Sequence, residues 1–204
     1  MNIAHHRLQK LAGQKGLTIW LYGLSGAGKT TIALLLEQML TENNLFCIRL
    51  DGDEMREGIN KGLGFTDEDR AENVRRASEI AKLHINNNVI TICSFITPLN
   101  AHRNIFRNML GENVLEVFVD CPLQVCEQRD VKGLYKKAAA QQIKTFTGYD
   151  SSFEKPDRTV MTLNTHILQA EHCTNMIYEQ LLDRIYSTSA ILQTKLPLVR
   201  NGLL

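Results

Sequence analysis

Residues 17–30 read Leu-Thr-Ile-Trp-Leu-Tyr-Gly-Leu-Ser-Gly-Ala-Gly-Lys-Thr, and the reading of this stretch decides the fold. Its last eight residues fit the pattern G-x-x-x-x-G-K-[ST] at every fixed position. The apolar run before them predicts a buried strand. The repeat after them, Ile32, Leu35, Leu36, Met39 and Leu40, predicts a helix over residues 29–40 with one inward face. A chance glycine-rich turn would lack this strand–loop–helix setting. The glycines let backbone N–H groups turn inward toward phosphate oxygens, and the helix N-terminus adds partial positive charge. Lys29 is placed to reach the β- and γ-phosphates, and the Thr30 hydroxyl to ligate Mg²⁺. The stretch predicts a nucleoside triphosphate site.

Composition narrows the class. A chain of 204 residues with 44% apolar content can bury one substantial core. We expect a single domain over residues 16–186, an N-terminal extension over 1–15 and a mobile tail over 187–204. A net charge of +1 gives no global pull toward nucleic acid, so an anion site must come from local clustering. Neither an 18-residue apolar run nor a signal-peptide pattern is present, which predicts a cytoplasmic protein with no membrane partner. The five cysteines are odd in number and scattered, so zinc is not expected, and most read as buried thiols. His5 and His6 read as solvated.

Working outward from the loop, residues 46–50 read as a second strand ending in Asp51-Gly52-Asp53. In an open parallel sheet, ligands sit beyond the carboxyl ends of the strands, so this acid pair faces the same crevice as the loop. Two carboxylates there can hold Mg²⁺ or take a proton from an attacking hydroxyl, and an Asx turn capping the next helix is the plainer alternative. Thr66 and Asp69 form a variant capping box before a long helix, which runs to about His84 and buries Val74, Ala77, Ile80 and Ala81. Further strands are expected over 89–95, 114–120 and 161–163, with helices over 101–109, 123–129 (Pro122 at its first position) and 170–186. From 131 to 149 there are four lysines, no acid, and a glycine at each end, as in a lid closing over phosphates. The fold class is a P-loop NTPase three-layer α/β/α arrangement, with a mostly parallel five-stranded sheet and a basic lid over about 130–149. The guanine signature Asn-Lys-x-Asp fails at Leu63. A small-molecule kinase with an anionic second substrate fits better than a GTPase switch.

Five blocks then resemble one family. Residues 23–31 (GLSGAGKTT), 50–58 (LDGDEMREG), 63–76 (LGFTDEDRAENVRR), 94–98 (SFITP) and 116–148 (EVFVDCPLQVCEQRDVKGLYKKAAAQQIKTFTG) look like adenylylsulfate kinase, in order and with matching spacing. The resemblance implies ATP-dependent phosphorylation of the 3′-hydroxyl of adenosine 5′-phosphosulfate, with Mg²⁺, in a homodimer. It implies that Gly23, Leu24, Ser25, Gly26, Ala27, Gly28, Lys29, Thr30 and Thr31 hold ATP, with Arg129 near its adenine. Asp51 and Asp53 match the family's acid pair. Asp53 is the choice for orienting or deprotonating the acceptor hydroxyl, and Thr30 with Asp53 for the metal.

Arg56, Arg70 and Asn73 match residues that grip the phosphosulfate end and sugar. Phe65 and Phe146 match the aromatics that sandwich the acceptor adenine, and Ile96, Thr97 and Lys132 match further contacts. Thr97 stands where the family has a serine that has been labelled a phosphorylated intermediate, although direct in-line transfer needs no such step. The chain departs from the family pattern at Glu54, Thr97, Leu99, residues 137–146 and residues 159–161. Those departures keep two other readings open: a related kinase with a shifted acceptor, and a nucleotide-binding regulator without catalysis.

Overall fold

The computed structural model describes residues 13–143, 146–149 and 151–186. His5, His6, Lys144 and the expected tail lie outside the described residues. Strands β1 (Thr18–Tyr22), β2 (Cys47–Asp51), β3 (Ile90–Phe95), β4 (Val114–Asp120) and β5 (Met161–Asn164) form one sheet in the order β2-β3-β1-β4-β5. All four pairings are parallel. Between them run α1 (Lys29–Glu42), α2 (Gly52–Glu57), α3 (Asp67–Asn86), α4 (Asn100–Leu110), α5 (Leu123–Arg129) and α6 (Leu134–Ala139). The chain closes with α7 (Ala170–Ile185). Gln14 and Lys15, at the edge of the expected extension, are already tied to the body. The Gln14 amide bonds Phe46 and Asn88, and Lys15 N–H donates to the Ile185 carbonyl.

Alternation along β1 divides the core. Ile19 and Leu21 point to the side covered by α1 and α7, among Ile32, Leu36, Ile177 and Leu181. Trp20 and Tyr22 point to the side covered by α3 and α4, among Val74, Ala77, Phe95 and Phe106. Trp20 stacks on Phe106 and Phe95 with ring centroids 4.4 and 5.1 Å apart. In α1 the inward face is Ile32, Ala33, Leu36 and Leu40, with Leu35 and Met39 only half-buried. Element ends move by one or two residues from the sequence reading. Pro122, expected inside α5, is instead its N-cap, its carbonyl accepting from Val125 and Cys126 N–H.

The second face carries one buried charge cluster. Glu116, 6% exposed on β4, accepts two bonds from Arg107 on α4 (2.9 and 2.7 Å) and one from Arg158 (2.7 Å). Burial pushes the Glu116 carboxyl up, but the Arg107 and Arg158 bonds outweigh it and hold it below the ordinary value. A depressed folded-state pKa gives stability that is present above the unfolded value and lost as pH falls through the folded one. Glu116→Gln is therefore expected to lower unfolding free energy by about 2 kcal/mol at pH 7. The gap from wild type should start to narrow below about pH 4 and close as pH falls through the depressed folded-state pKa, where both proteins carry a neutral group. Urea unfolding from pH 7 to pH 3 checks this; a pH-independent gap would contradict it.

Candidate active site

On the loop of residues 23–30, side chains engage one peptide carbonyl after another. The carbonyls of Gly23 and Leu24 accept from Lys29 Nζ (3.0 and 2.7 Å), and that of Ser25 from the Tyr135 hydroxyl (3.0 Å). The Gly26 carbonyl accepts from Arg129 (3.3 Å) and that of Ala27 from the Thr165 hydroxyl (2.7 Å). Gly23 N–H donates to the Ile96 carbonyl and Ala27 N–H to the Leu24 carbonyl; the other N–H groups of the loop and the start of α1 are those suited to an anion-binding concavity. Gly26 and Gly28 hold φ of +75° and +99°, conformations an L side chain rarely adopts. A Cβ on Gly26 would also crowd the Cys126 carbonyl at 3.0 Å. Burial pushes the Lys29 ammonium down to about 8, partly offset by Asp53 and Asp51.

The acid pair stands beside this loop. Asp51, buried at the end of β2, accepts from the Thr30 hydroxyl (3.2 Å), the Ser94 hydroxyl (2.6 Å) and Asp53 N–H (2.9 Å). Register explains the Ser94 contact, since Asp51 and Ser94 are partners across β2 and β3. Burial pushes the Asp51 carboxyl up, but the Ser94, Asp53 and Thr30 bonds and the Lys132 charge outweigh it, so it lies below its ordinary value. Asp51 is also the N-cap of α2, so the capping role and the crevice-facing role belong to the same carboxylate. Asp53, one residue into α2, is solvent-facing, and its carboxylate pairs with Lys132 Nζ at 2.5 Å. That pair ties the start of the basic stretch to α2.

Beyond Asp53 lies a narrow pocket. Arg56, Phe65, Arg70 and Asn73 line one side, and Ile96, Thr97 and Pro98 the other. The Arg56 and Arg70 guanidinium groups lie 4.6 and 5.6 Å from the Phe65 ring centroid. Arg56 donates to the Leu63 and Gly64 carbonyls, Arg70 Nε to that of Phe65, and Asn73 accepts from buried Asn60. A hydrogen bond from Gly23 N–H to the Ile96 carbonyl (3.3 Å) joins the donor loop to this wall. A second, larger cleft of about 800 Å³ opens between Leu24, the end of β4, and Gly148, Tyr149, Ser151, Phe153 and Lys155.

The Adenylylsulphate kinase family model matches residues 15–164. The chain belongs to the adenylylsulphate kinase family. It is 46% identical over 185 residues to the adenylyl-sulfate kinase of Clostridium kluyveri, covering 87% of this chain and 93% of that one. It is 47% identical over 184 residues to the adenylyl-sulfate kinase of Saccharomyces cerevisiae, covering 89% and 91%. Among solved structures, the Mycobacterium tuberculosis APS kinase in complex with AMPPNP and APS matches with a TM-score of 0.79 and 40% identity, over 82% of this chain and 98% of that one.

In this adenylylsulphate kinase the pocket thus gathers Asp53, Arg56, Phe65, Arg70, Asn73, Ile96 and Thr97, with Asp51 beneath and Lys132 across. Phe146 does not line this pocket; it is buried in the core, edge-on to Tyr135 with centroids 4.8 Å apart. Nor is the Thr97 hydroxyl presented to the pocket as a nucleophile would be; it is buried and accepts from the Trp20 indole N–H at 3.1 Å. The sequence reading missed Ser94, Trp20, Tyr135 and Asn60. Ser94 carried a signal, a hydroxyl near the end of an otherwise apolar strand, and Tyr135 was the lone aromatic of the basic stretch's first half.

Proposed function

We infer that this chain transfers the γ-phosphoryl group of ATP to the 3′-hydroxyl of adenosine 5′-phosphosulfate, giving ADP and 3′-phosphoadenosine 5′-phosphosulfate in sulfate assimilation. One observation carries the reading. Asp51 is bonded to Thr30 of the donor loop, and Asp53, two residues on, faces a pocket rimmed by two arginines and an aromatic ring. Phosphoryl transfer asks the protein mainly for positioning and charge neutralisation. Arg56 and Arg70 offer planar forks suited to phosphate and sulfate oxygens, and Phe65 offers a face for the purine. Asp53 is placed to accept the proton of the acceptor hydroxyl. Lys29 and Lys132 set positive charge on either side of the transfer.

The Thr30 hydroxyl and the Asp51 carboxylate, 3.2 Å apart, are hard oxygen donors that fit Mg²⁺, and Asp53 adds a third. When bound, the metal neutralises charge on the triphosphate. Five free cysteines support a reducing, cytoplasmic setting. No helix among the described residues is long and apolar enough to cross a membrane. The homodimer stands as a proposal that light scattering checks, with a mass twice the 23.1 kDa chain as the expected result.

An assay coupling ADP release to Mg-ATP and adenosine 5′-phosphosulfate tests the function. ADP formation that does not depend on the acceptor would refute it. In the same assay, Arg56→Ala is expected to raise KM for the acceptor by about 10- to 100-fold, as for a lost bond to a charged group. KM for ATP should stay within about 3-fold, the donor loop being untouched. A matched rise in both constants would remove Arg56 from the acceptor pocket.

A further inference from the structure

Arg103 is the least expected side chain in the molecule. It is a guanidinium with 0% exposure, on α4, outside the pocket and the donor loop. It lies between two rings, 4.4 Å from the Tyr22 centroid and 5.2 Å from that of Phe153. Its donors go to two segments. Nε bonds the Thr97 carbonyl (3.2 Å), and Nη2 bonds the carbonyls of Pro98 (2.9 Å) and Glu154 (2.6 Å). Nη1 bonds the Asn100 side chain (2.7 Å). The same two segments are laced to each other. Glu154 N–H donates to the Pro98 carbonyl, the Glu154 carboxylate accepts from Asn100 N–H, and the Asn100 amide reaches the Lys155 carbonyl.

Two observations give this joint a purpose. Thr97 holds φ of +41°, a left-handed conformation that is costly for a β-branched residue and persists only where its surroundings impose it. Trp20 holds its side chain and Arg103 its carbonyl. In that conformation Ile96, Thr97 and Pro98 form one wall of the narrow pocket. Residues 151–155, gripped from the other side, follow directly on the lid and wall the larger cleft.

We propose that Arg103 is a positioning residue for the acceptor side of the reaction: it imposes the left-handed Thr97 on the pocket wall and ties that wall to the 153–155 segment behind the lid. The proposal rests on the acceptor reading of the pocket given above. A lysine keeps the charge but cannot span both segments with a planar fork. Arg103→Lys is expected to raise KM for adenosine 5′-phosphosulfate at least 10-fold, while ATP affinity, read by calorimetry, stays within 2-fold.

Thr97→Gly supplies the readout that a purely structural role would not move. Glycine adopts positive φ freely, so Arg103→Lys in a Thr97→Gly background should raise acceptor KM less than 3-fold. Asn100→Ala, a milder change at the edge of the joint, should shift acceptor KM in the same direction, about 3-fold, should Arg103→Lys not fold. Unchanged acceptor KM in the variants, equal losses for both substrates, or an undiminished Arg103→Lys effect in the glycine background would each overturn the proposal. A wild-type protein that turns over no adenosine 5′-phosphosulfate would instead overturn the functional reading. Amide exchange then still tests the joint, since Arg103→Lys should speed exchange at both Asn100 and Glu154.

Discussion

Replacing Lys29 with alanine is expected to lower turnover about 1000-fold or more and to leave the protein at least as stable as the wild type. The first half follows from where the ammonium sits. It is buried under the donor loop and bonded to two carbonyls of that loop, ready to turn to phosphate oxygens as charge develops on them. A preorganised donor in such a water-poor site is worth about 100- to 1000-fold in rate, and a full charge more. The second half follows from linkage. Burial lowers the folded-state pKa to about 8, so below that pH the folded protein holds a cation that the unfolded chain carries more easily. Removing it relieves that burden at neutral pH. Acceptor-dependent ADP release and a thermal melt give the two readouts. Activity within 10-fold of wild type would take Lys29 out of the mechanism.

Asp53→Asn carries the other large effect, a fall in turnover of about 100- to 10,000-fold with ATP affinity within about 3-fold. The carboxylate is the solvent-facing member of the acid pair, and it stands on the wall of the narrow pocket. Asp51 cannot exchange roles with it. Its oxygens already accept from Thr30, Ser94 and Asp53 N–H, which fixes its position. Lys132 pairs with Asp53 in this structure, so the two should not act independently. Asp53→Asn and Lys132→Ala are expected to combine with a smaller loss than the product of the single effects. Full multiplicativity would mean that the ion pair has no part in the reaction.

What the sequence made legible was local. The loop, its strand and its helix are contiguous, and the acid pair ends an obvious strand. Arg70, Asn73 and Val74 fall on one turn of α3, so two polar groups share a face with buried apolar ones. The opaque parts depend on segments far apart in the chain. Tyr135 reaches Ser25 across 110 residues, Ser94 reaches Asp51 across 43, and Trp20 reaches Thr97 across 77. Nothing in the periodicity of α6 or β3 announces those partners. Arg103 sat in a helix whose apolar stripe was plain, and a buried arginine reads from sequence as an exposed one. The resemblance pointed to residues that line one pocket with Phe65, and also to Phe146, which packs in the core.

The strand order has a practical consequence for anyone redesigning this enzyme. β1 and β3 lie side by side, yet the chain leaves β1 toward β2 and leaves β3 toward β4, in opposite directions. The donor loop springs from one of these strands and the Thr97 wall from the other, with Gly23 bonded to Ile96 at the seam. The distance between the two substrates is therefore written into the backbone ladder of the sheet. A new acceptor of different length cannot be accommodated by stretching that distance. Acceptor specificity should evolve instead in residues 56–73 and in the lid, which can be re-cut without disturbing the ladder.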